Sequence, residues 1–354
     1  MIEFLFVGAV VVSGGAFFKK AFKDKRCFGL LMLVFFLLSA LRAFTIGADT
    51  RAYSILFIEI GKTNGIFLFN AGRYEEGYVF CNKLLSLITN NPQVLIFISS
   101  AFIYLSFFLF FKRNSKNLFV VALLFFFCGL FKFSLSAIRQ CIALGILMFG
   151  YEQLKHKKYF PFVLLAALAF FFHRSSIVFS LLMFLSNFKW KRNTYLLLFA
   201  ISVTILFLSF VGVDRFILTL FDYSRYIGSI YDDGLNFASI VLALMCLVDI
   251  WAMYTMDKTI VNSLFFKMTV IKLCVLLISF RLNAVDRLAD YLTFFEIVGL
   301  SNAFYKSKHK NKLLLISLVF AMYVSYSFVW GIMRPEYQFV WPYKFFWEES
   351  GAIL

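Results

Sequence analysis

The sequence has little charge, little proline and no polar stretch long enough to form a separate soluble domain. Of its 354 residues, 15% are charged and four are proline, whereas 62% are hydrophobic and 51 are phenylalanine. Soluble proteins average about 25% charged and about 45–50% apolar residues, so a water-soluble single-core protein is excluded. Disordered and proline-rich classes are excluded by the same composition. The mean hydropathy of +0.85 is typical of a polytopic membrane protein.

Metal and disulfide patterns are also missing from the sequence. The six cysteines have no Cys-x-x-Cys spacing and lie mostly in apolar runs, which is typical of small core residues. Neither a His-Glu-x-x-His nor an Asp-x-Asp motif occurs, so we expect no metal ion and no cofactor. The net charge of +16 is spread over short clusters. A nucleic-acid-binding protein would need a soluble basic surface, so this charge does not indicate nucleic-acid binding.

The basic clusters predict the topology. Twenty of the 35 lysine and arginine residues fall in six short loops: 19–26, 112–117, 152–158, 189–192, 257–267 and 305–312. Short cytoplasmic loops carry such an excess of positive charge. We therefore expect an all-α polytopic protein of about 12 spans (10–14), with the N- and C-termini outside. It forms a single transmembrane domain over 1–354, with external segments 47–92, 213–236 and 332–354 over an active-site cavity.

The two kinds of basic residue are distributed differently. The cytoplasmic loops hold 17 lysines and three arginines, whereas the spans and external segments hold ten arginines and five lysines. Any cation satisfies the topology rule, but the planar guanidinium fork binds phosphate in bidentate fashion and stays charged when buried. External arginines also reach lipid headgroups or pair with carboxylates. The pattern indicates an anion site at the outer face, and a lipid diphosphate fits it.

The first candidate site lies in residues 41–57, where an apolar run meets a polar segment. Arg42 is predicted five residues inside the outer end of its helix, and Gly47 is predicted to end that helix. Asp49 then opens the next helix as a cap, with Tyr53 one turn further on. An ordinary cap explains Asp49 but not the arginine beside it.

The second candidate site lies in the apolar run 135–151. Arg139 and Gln140 are predicted about two turns into its helix, where an arginine costs about 2.5–3.5 kcal/mol at mid-membrane. No residue of the run neutralises this charge. Its partner is expected from another helix, with Glu296 or Asp290 as structural carboxylates, or from a bound anion.

Two further polar elbows lie between apolar runs. His173 and Arg174 are predicted at the outer face, where a lone histidine is either a structural residue or a base. Arg281, Arg287 and Tyr291 are packed with two aspartates into another short elbow. Arg287 can pair with an acidic residue one turn away, which leaves Arg281 for a ligand.

Four short motifs follow one another in the order of these sites. They are Arg42-x4-Gly47-x-Asp49-Thr50-x2-Tyr53, Glu76-Gly77-Tyr78, Ile138-Arg139-Gln140 and Phe172-His173-Arg174-Ser175. This order resembles the EpsG-like, Wzy-type polymerases of bacterial surface polysaccharides, over roughly residues 30–300. The resemblance implies a multi-pass, glycosyltransferase-C-like enzyme of the cytoplasmic (inner) membrane. It also implies transfer of a growing glycan from undecaprenyl diphosphate to the next lipid-linked repeat unit, for O-antigen, capsule or exopolysaccharide.

The reaction needs fixed cations for the leaving diphosphate and a base for the acceptor hydroxyl. Asp49, His173 and Glu76 are the candidate bases, and the sequence leaves the choice open. The predicted catalytic residues are Asp49, His173 and Arg139, and the predicted substrate-binding residues are Arg42, Tyr53, Glu76, Gln140, Arg174, Arg281, Arg287 and Tyr291. The expected partners are the lipid-linked oligosaccharide, membrane lipids, a chain-length regulator and a flippase, and no nucleic acid.

Two other functions use the same substrate. A flippase of lipid-linked saccharide needs a cationic path across the membrane, but the cytoplasmic half of the spans has almost no charge apart from Lys272 and Asp249. A pair between these two residues is sufficient to explain them. An O-antigen ligase differs from a polymerase in its acceptor and usually presents a large external loop, whereas segment 47–92 is moderate in length.

Overall fold

The computed structural model describes residues 25–63, 74–210, 235–282, 285–333, 340 and 342–349. Their regular elements are helices, apart from one isolated antiparallel bridge between Arg42 and Phe345, so the all-α prediction is confirmed. The α-helices in chain order are α1 Lys25–Ala40, α2 Thr50–Lys62, α3 Glu76–Ser86, α4 Gln93–Asn114, α5 Leu118–Phe127, α6 Leu130–Ser136, α7 Ile138–Lys155, α8 Tyr159–Phe170, α9 Ser176–Ser186, α10 Arg192–Phe210, α11 Phe237–Met256, α12 Leu264–Ser279, α13 Asp286–Lys306 and α14 Lys312–Met333.

Four of these helices are long and apolar enough to cross a membrane on their own, within the described residues. They are Gln93–Asn114, Arg192–Phe210, Phe237–Met256 and Lys312–Val329. A fifth span arises if α5 and α6, which are bent by 59° relative to each other, cross as one. The bend lies at Gly129, whose φ of +79° favours glycine. These helices make the chain a membrane protein, and the count of about twelve spans stays a prediction.

The described chain divides into two compact units. The first comprises residues up to Ser180 together with those from Tyr323 onward. In it, α4 packs against α1 and α7, and α7 packs against α8. Phenylalanine rings fill its interior; for example, the ring centroids of Phe35 and Phe131 are 5.1 Å apart. This unit contains both helices of the predicted external segment 47–92, namely α2 and α3.

The second unit comprises residues 181–322, with α10 to α13 as its complete helices. The buried Lys272 of α12 forms an ion pair with Glu296 of α13. Sequence reasoning did not identify Glu296 as a partner of Lys272; it lies on the helix that packs against α12. The pairing of Lys272 with Asp249 stays a prediction. Both Lys272 and Glu296 are buried, so their pairing offsets the desolvation of each charge.

Two helix boundaries differ from the sequence predictions, and both lie at predicted site residues. Helix α1 ends at Ala40, so Arg42 follows the helix instead of lying inside it. The apolar run 135–151 is interrupted at Ala137, whose φ of −90° and ψ of 54° are not helical. Arg139 is consequently the second residue of α7, not two turns into a helix. Hydrophobicity alone predicts neither boundary, because the runs continue through both.

Candidate active site

A buried carboxylate at the start of α3 is the centre of the candidate site. Glu75 occupies the N-cap position of α3 and is 5% exposed. Its Oε2 forms an ion pair with Nη1 of Arg139. Its Oε1 accepts a hydrogen bond of 3.2 Å from the backbone N–H of Arg174 and lies 3.2 Å from Nδ1 of His173. The imidazole is thus at ion-pair distance from the carboxylate, and its Nδ1 makes no hydrogen bond within the described residues.

Arg139 is held on its other side by tyrosines. Its Nε donates to Oη of Tyr53 at 3.3 Å, and its guanidinium carbon lies 4.9 Å from the ring centroid of Tyr74. Contacts of a guanidinium with an aromatic face are attractive and fix its orientation. Within the described part of the chain, Nη2 of Arg139 takes part in no hydrogen bond. The protein thus engages Nε and Nη1 of the guanidinium, whereas the donors on Nη2 are left for another partner.

The electrostatics of the site follow from these contacts. Burial alone raises the pKa of the Glu75 carboxyl, but the neighbouring His173 and the charge of Arg139 outweigh burial and lower the pKa to about 2. Burial raises the pKa of the Tyr53 hydroxyl to about 12, although Arg139 acts in the opposite direction. Glu75 is therefore a carboxylate and Tyr53 a neutral phenol at neutral pH.

The close approach of α3 to the segment after α8 requires Gly77. Its N–H donates to the carbonyl oxygen of Phe171 at 3.0 Å. A Cβ at position 77 would lie 2.8 Å from that oxygen, so any larger residue would force the two segments apart. His173 and Arg174 follow directly after Phe171. This contact explains physically why a glycine follows Glu75 and Glu76.

Three predicted site residues lie at the surface next to this cluster. Arg174 and Glu76 are well exposed, and their side chains form a loose ion pair of 3.8 Å. Asp49 is exposed at the N-cap position of α2, as predicted, although its side chain makes no capping hydrogen bond. These groups are accessible to a soluble part of a substrate, whereas Glu75 and Arg139 are largely covered.

Arg42 is placed differently from the other predicted arginines. Its side chain is fully buried, and its donors are directed to carbonyl and hydroxyl oxygens of the protein. One of these is the carbonyl oxygen of Leu135, at 3.0 Å from Nη2. Gln140 is also buried, in the first turn of α7.

The remaining predicted residues belong to the second unit. Arg281 is half-buried after the end of α12, and Arg287 is exposed in the first turn of α13. Tyr291 is fully buried in α13. Their roles as substrate ligands stay predictions.

Sequence reasoning missed the central role of Glu75. It assigned Glu76 to substrate binding and counted it among the candidate bases, and it gave Glu75 neither role. In the described residues, no three or more His, Cys, Asp or Glu side chains are grouped to hold a metal ion. The signal that could have identified Glu75 is its place directly before the Glu76-Gly77-Tyr78 motif, at the start of a helix.

A family model described as the EpsG family matches residues 25–345. The chain belongs to the EpsG family. The match includes every residue of the cluster around Glu75, as well as Arg42, Asp49, Arg281, Arg287 and Tyr291. No curated protein and no solved structure matches this EpsG family member. The resemblance found in the four motifs is thereby confirmed at the level of the family.

Proposed function

We propose that this EpsG family member is a polymerase of undecaprenyl-diphosphate-linked oligosaccharide repeat units. It acts at the outer face of the bacterial cytoplasmic membrane, with about twelve spans, a glycosyltransferase-C-like fold and both termini outside. The product is an O-antigen, a capsule or an exopolysaccharide. Family membership supports the polymerase role, and the cluster of Glu75, Arg139, His173 and Arg174 is the observation that carries it.

The cluster supplies a base for the acceptor. In the reaction, a hydroxyl oxygen of the acceptor sugar bonds to the anomeric carbon of the donor glycan, and the bond from that carbon to the diphosphate breaks. The hydroxyl proton passes to Nε2 of His173. Glu75 lies against Nδ1 of the same ring, so it favours the tautomer with a proton on Nδ1 and a lone pair on Nε2. Glu75 itself is a weak base because its pKa is low.

The cluster also supplies positive charge for the leaving group. Arg139 is oriented by Glu75 and Tyr53 and keeps the donors on Nη2 for a phosphate oxygen. Arg174 presents an exposed guanidinium from the segment that carries His173. Preorganised cations stabilise the charge that develops on a leaving diphosphate. Asp49 and Glu76, both exposed, orient hydroxyl groups of the acceptor sugar, and Arg281, Arg287 and Tyr291 stay candidate ligands of the lipid-linked unit.

The decisive experiment compares surface glycans in a deletion strain that carries wild-type protein, His173→Gln or no protein. If the protein is a polymerase, the deletion strain and the His173→Gln strain should both carry surface glycans capped with a single repeat unit. The His173→Gln protein should be present at the normal level. Loss of lipid-linked units from the outer leaflet would identify a flippase instead. Long chains that are not attached to their final acceptor would identify a ligase. His156→Gln, at a cytoplasmic loop, is the matched control and should leave chain length unchanged.

A further inference from the structure

The break between α6 and α7 leaves backbone carbonyl groups that need partners. In a continuous helix each carbonyl accepts from the N–H four residues later, but Ala137 is not helical and interrupts this pattern. An unsatisfied carbonyl costs several kcal/mol in surroundings without water. The break is therefore stable only if another part of the chain supplies donors to the end of α6.

Residues before and at the start of α2 supply donors to one of these carbonyl groups and to the side chain beside it. The carbonyl oxygen of Leu135 accepts from Nη2 of Arg42 at 3.0 Å and from Oγ1 of Thr50 at 3.1 Å. The next residue, Ser136, accepts at Oγ from the backbone N–H of Ala48 at 3.0 Å. Both residues at the end of α6 are thus bound by residues 42–50.

Gly47 permits the approach that these hydrogen bonds require. Its φ is +92°, and a Cβ would lie 2.4 Å from the carbonyl oxygen of Leu135. No side chain fits at that distance, and L-residues rarely adopt that φ. Glycine at position 47 therefore serves the contact with Leu135, in addition to the turn after α1.

Arg42 is itself anchored within the same unit. Its Nη1 donates to Oγ of Ser39 at 2.9 Å and to Oγ of Ser100 at 3.3 Å, as well as to the carbonyl oxygen of Ser39. Its Nε donates to the carbonyl oxygen of Ile46 at 3.3 Å. These acceptors are protein oxygens, and the side chain has no exposed surface. A diphosphate would have to displace them to reach the guanidinium.

The same segment connects the break to the candidate site. Thr50 and Tyr53 lie one turn apart in α2 and therefore on one side of that helix. Thr50 bonds to the carbonyl of Leu135 before the break, and Tyr53 accepts from Arg139 directly after it. The position of α2 against the break thus determines where the guanidinium of Arg139 lies relative to Tyr53.

We infer that Arg42 is a positioning residue that, with Gly47 and Thr50, holds the break between α6 and α7 and thereby places Arg139 in the site. The consequence for catalysis rests on the proposed polymerase function. The hydrogen-bonded contact between residues 42–50 and the end of α6 does not depend on it. The two statements can therefore be tested separately.

The kinetic test uses purified protein with a lipid-linked repeat unit as substrate. Arg42→Lys keeps the positive charge but loses the planar guanidinium. Gly47→Ala removes no hydrogen-bond donor and disturbs the approach of residue 47 to Leu135. Misplacement of a catalytic group by about 1 Å costs on the order of 100-fold, so both variants should lower kcat by about 10- to 100-fold. KM should change less than about twofold, because the donors of Arg139 remain. The exposed Arg51→Lys, one residue after Thr50, is the matched control.

A ligand role for Arg42 predicts a different pattern. Arg42→Lys would then raise KM, and Gly47→Ala would retain full activity, which would overturn the inference. If Arg42→Lys does not accumulate, Gly47→Ala and the nearly isosteric Thr50→Val still decide. Thr50→Val removes one of the two side-chain bonds to Leu135, so it should lower kcat less than Gly47→Ala does.

A cross-link tests the contact without any assay of activity. Ala48→Cys with Ser136→Cys should form a disulfide on oxidation of the otherwise wild-type protein, and more slowly when Arg42→Lys or Gly47→Ala is added. The oxidised cross-link should restore kcat in the Arg42→Lys protein, and reduction should abolish the rescue. Undiminished cross-linking in a variant that has lost activity would refute the positioning role. If the protein with native Arg42 and Gly47 has no polymerase activity, but the cross-link forms and is slowed by Arg42→Lys and Gly47→Ala as expected, only the proposed function is refuted.

Discussion

Arg139 and Glu75 are 64 positions apart in the chain and form an ion pair between the start of α7 and the start of α3. The same carboxylate faces the imidazole of His173 and accepts from the backbone of Arg174. Three separate segments, which carry three of the four sequence motifs, therefore meet at one side chain. The pairing also explains how an arginine is tolerated in an apolar run, since its partner is another residue of the protein.

The first prediction concerns Arg139. Arg139→Lys keeps a positive charge near Glu75, so we expect normal protein levels, but the lysine cannot bond to Glu75 and a phosphate in one plane. Activity should fall by about 100-fold or more, the cost of losing one transition-state donor. Arg139→Ala leaves Glu75 buried without its cation, so it should also destabilise the protein by about 3–5 kcal/mol.

Protein level and glycan length, measured together, distinguish these effects. Short glycans with normal levels of Arg139→Lys support a role in the reaction. Normal glycans in both variants would remove Arg139 from the site. The exposed Arg51→Lys and Arg51→Ala serve as controls for the loss of an external charge.

The second prediction concerns the pH dependence of stability. Because the pKa of Glu75 is lowered to about 2 in the folded protein, its interactions stabilise the fold above the ordinary glutamate pKa of about 4.3. That stabilisation is lost as the pH falls from about 5 toward 2. Glu75→Gln should therefore be less stable at pH 7 and show a shallower loss of stability on acidification. Thermal midpoints of the purified protein between pH 7 and pH 3 measure this, with the exposed Glu59→Gln as control.

The third prediction concerns Gly77. In Gly77→Ala, the new Cβ would lie 2.8 Å from the carbonyl oxygen of Phe171, so α3 must move away from the segment that carries His173. Overpacking of this kind costs about 1–3 kcal/mol, and we expect short glycans as the separation between Glu75 and His173 grows. Gly61→Ala is a matched control within α2, because its Cβ would make only an ordinary contact of 3.6 Å with Ser86. Equal activity of the two variants would contradict the prediction.

The sequence predicted the parts of this site that local patterns report. Apolar runs predicted the helices, and polar residues inside or between those runs identified Arg139, His173 and Arg174. Such patterns could not identify Glu75 as the partner of Arg139, because an ion pair between residues 64 positions apart leaves no periodic signal. The adjacent Glu76 also carries the same charge. The break at Ala137 was also missed, because the donors to the Leu135 carbonyl, Arg42 and Thr50, come from a distant segment.

The fourth prediction concerns topology. Lys308, in a loop rich in lysine, should be cytoplasmic, and Lys62, at the end of α2, should be external. Both residues are exposed, so a cysteine at either position can react with a membrane-impermeant maleimide. In a background without the native cysteines, Lys62→Cys should be labelled in intact cells and Lys308→Cys only after permeabilisation. The reverse pattern would invert the topology and place Glu75 on the wrong side for an outer-leaflet substrate.

The fifth prediction is that activity survives removal of divalent metal ions. Arg139 and Arg174 provide positive charge at the site, and the oxygens of Glu75 already face Arg139, His173 and the backbone of Arg174. Purified protein should therefore polymerise lipid-linked units at an unchanged rate in excess chelator. If the chelator abolishes activity and a divalent ion restores it, a metal bound by Asp49 and Glu76 is the alternative. In that case the double variant Asp49→Asn, Glu76→Gln should lose both the activity and its dependence on metal. If Asp49 and Glu76 only orient the acceptor sugar, the double variant should have reduced activity that the chelator does not change.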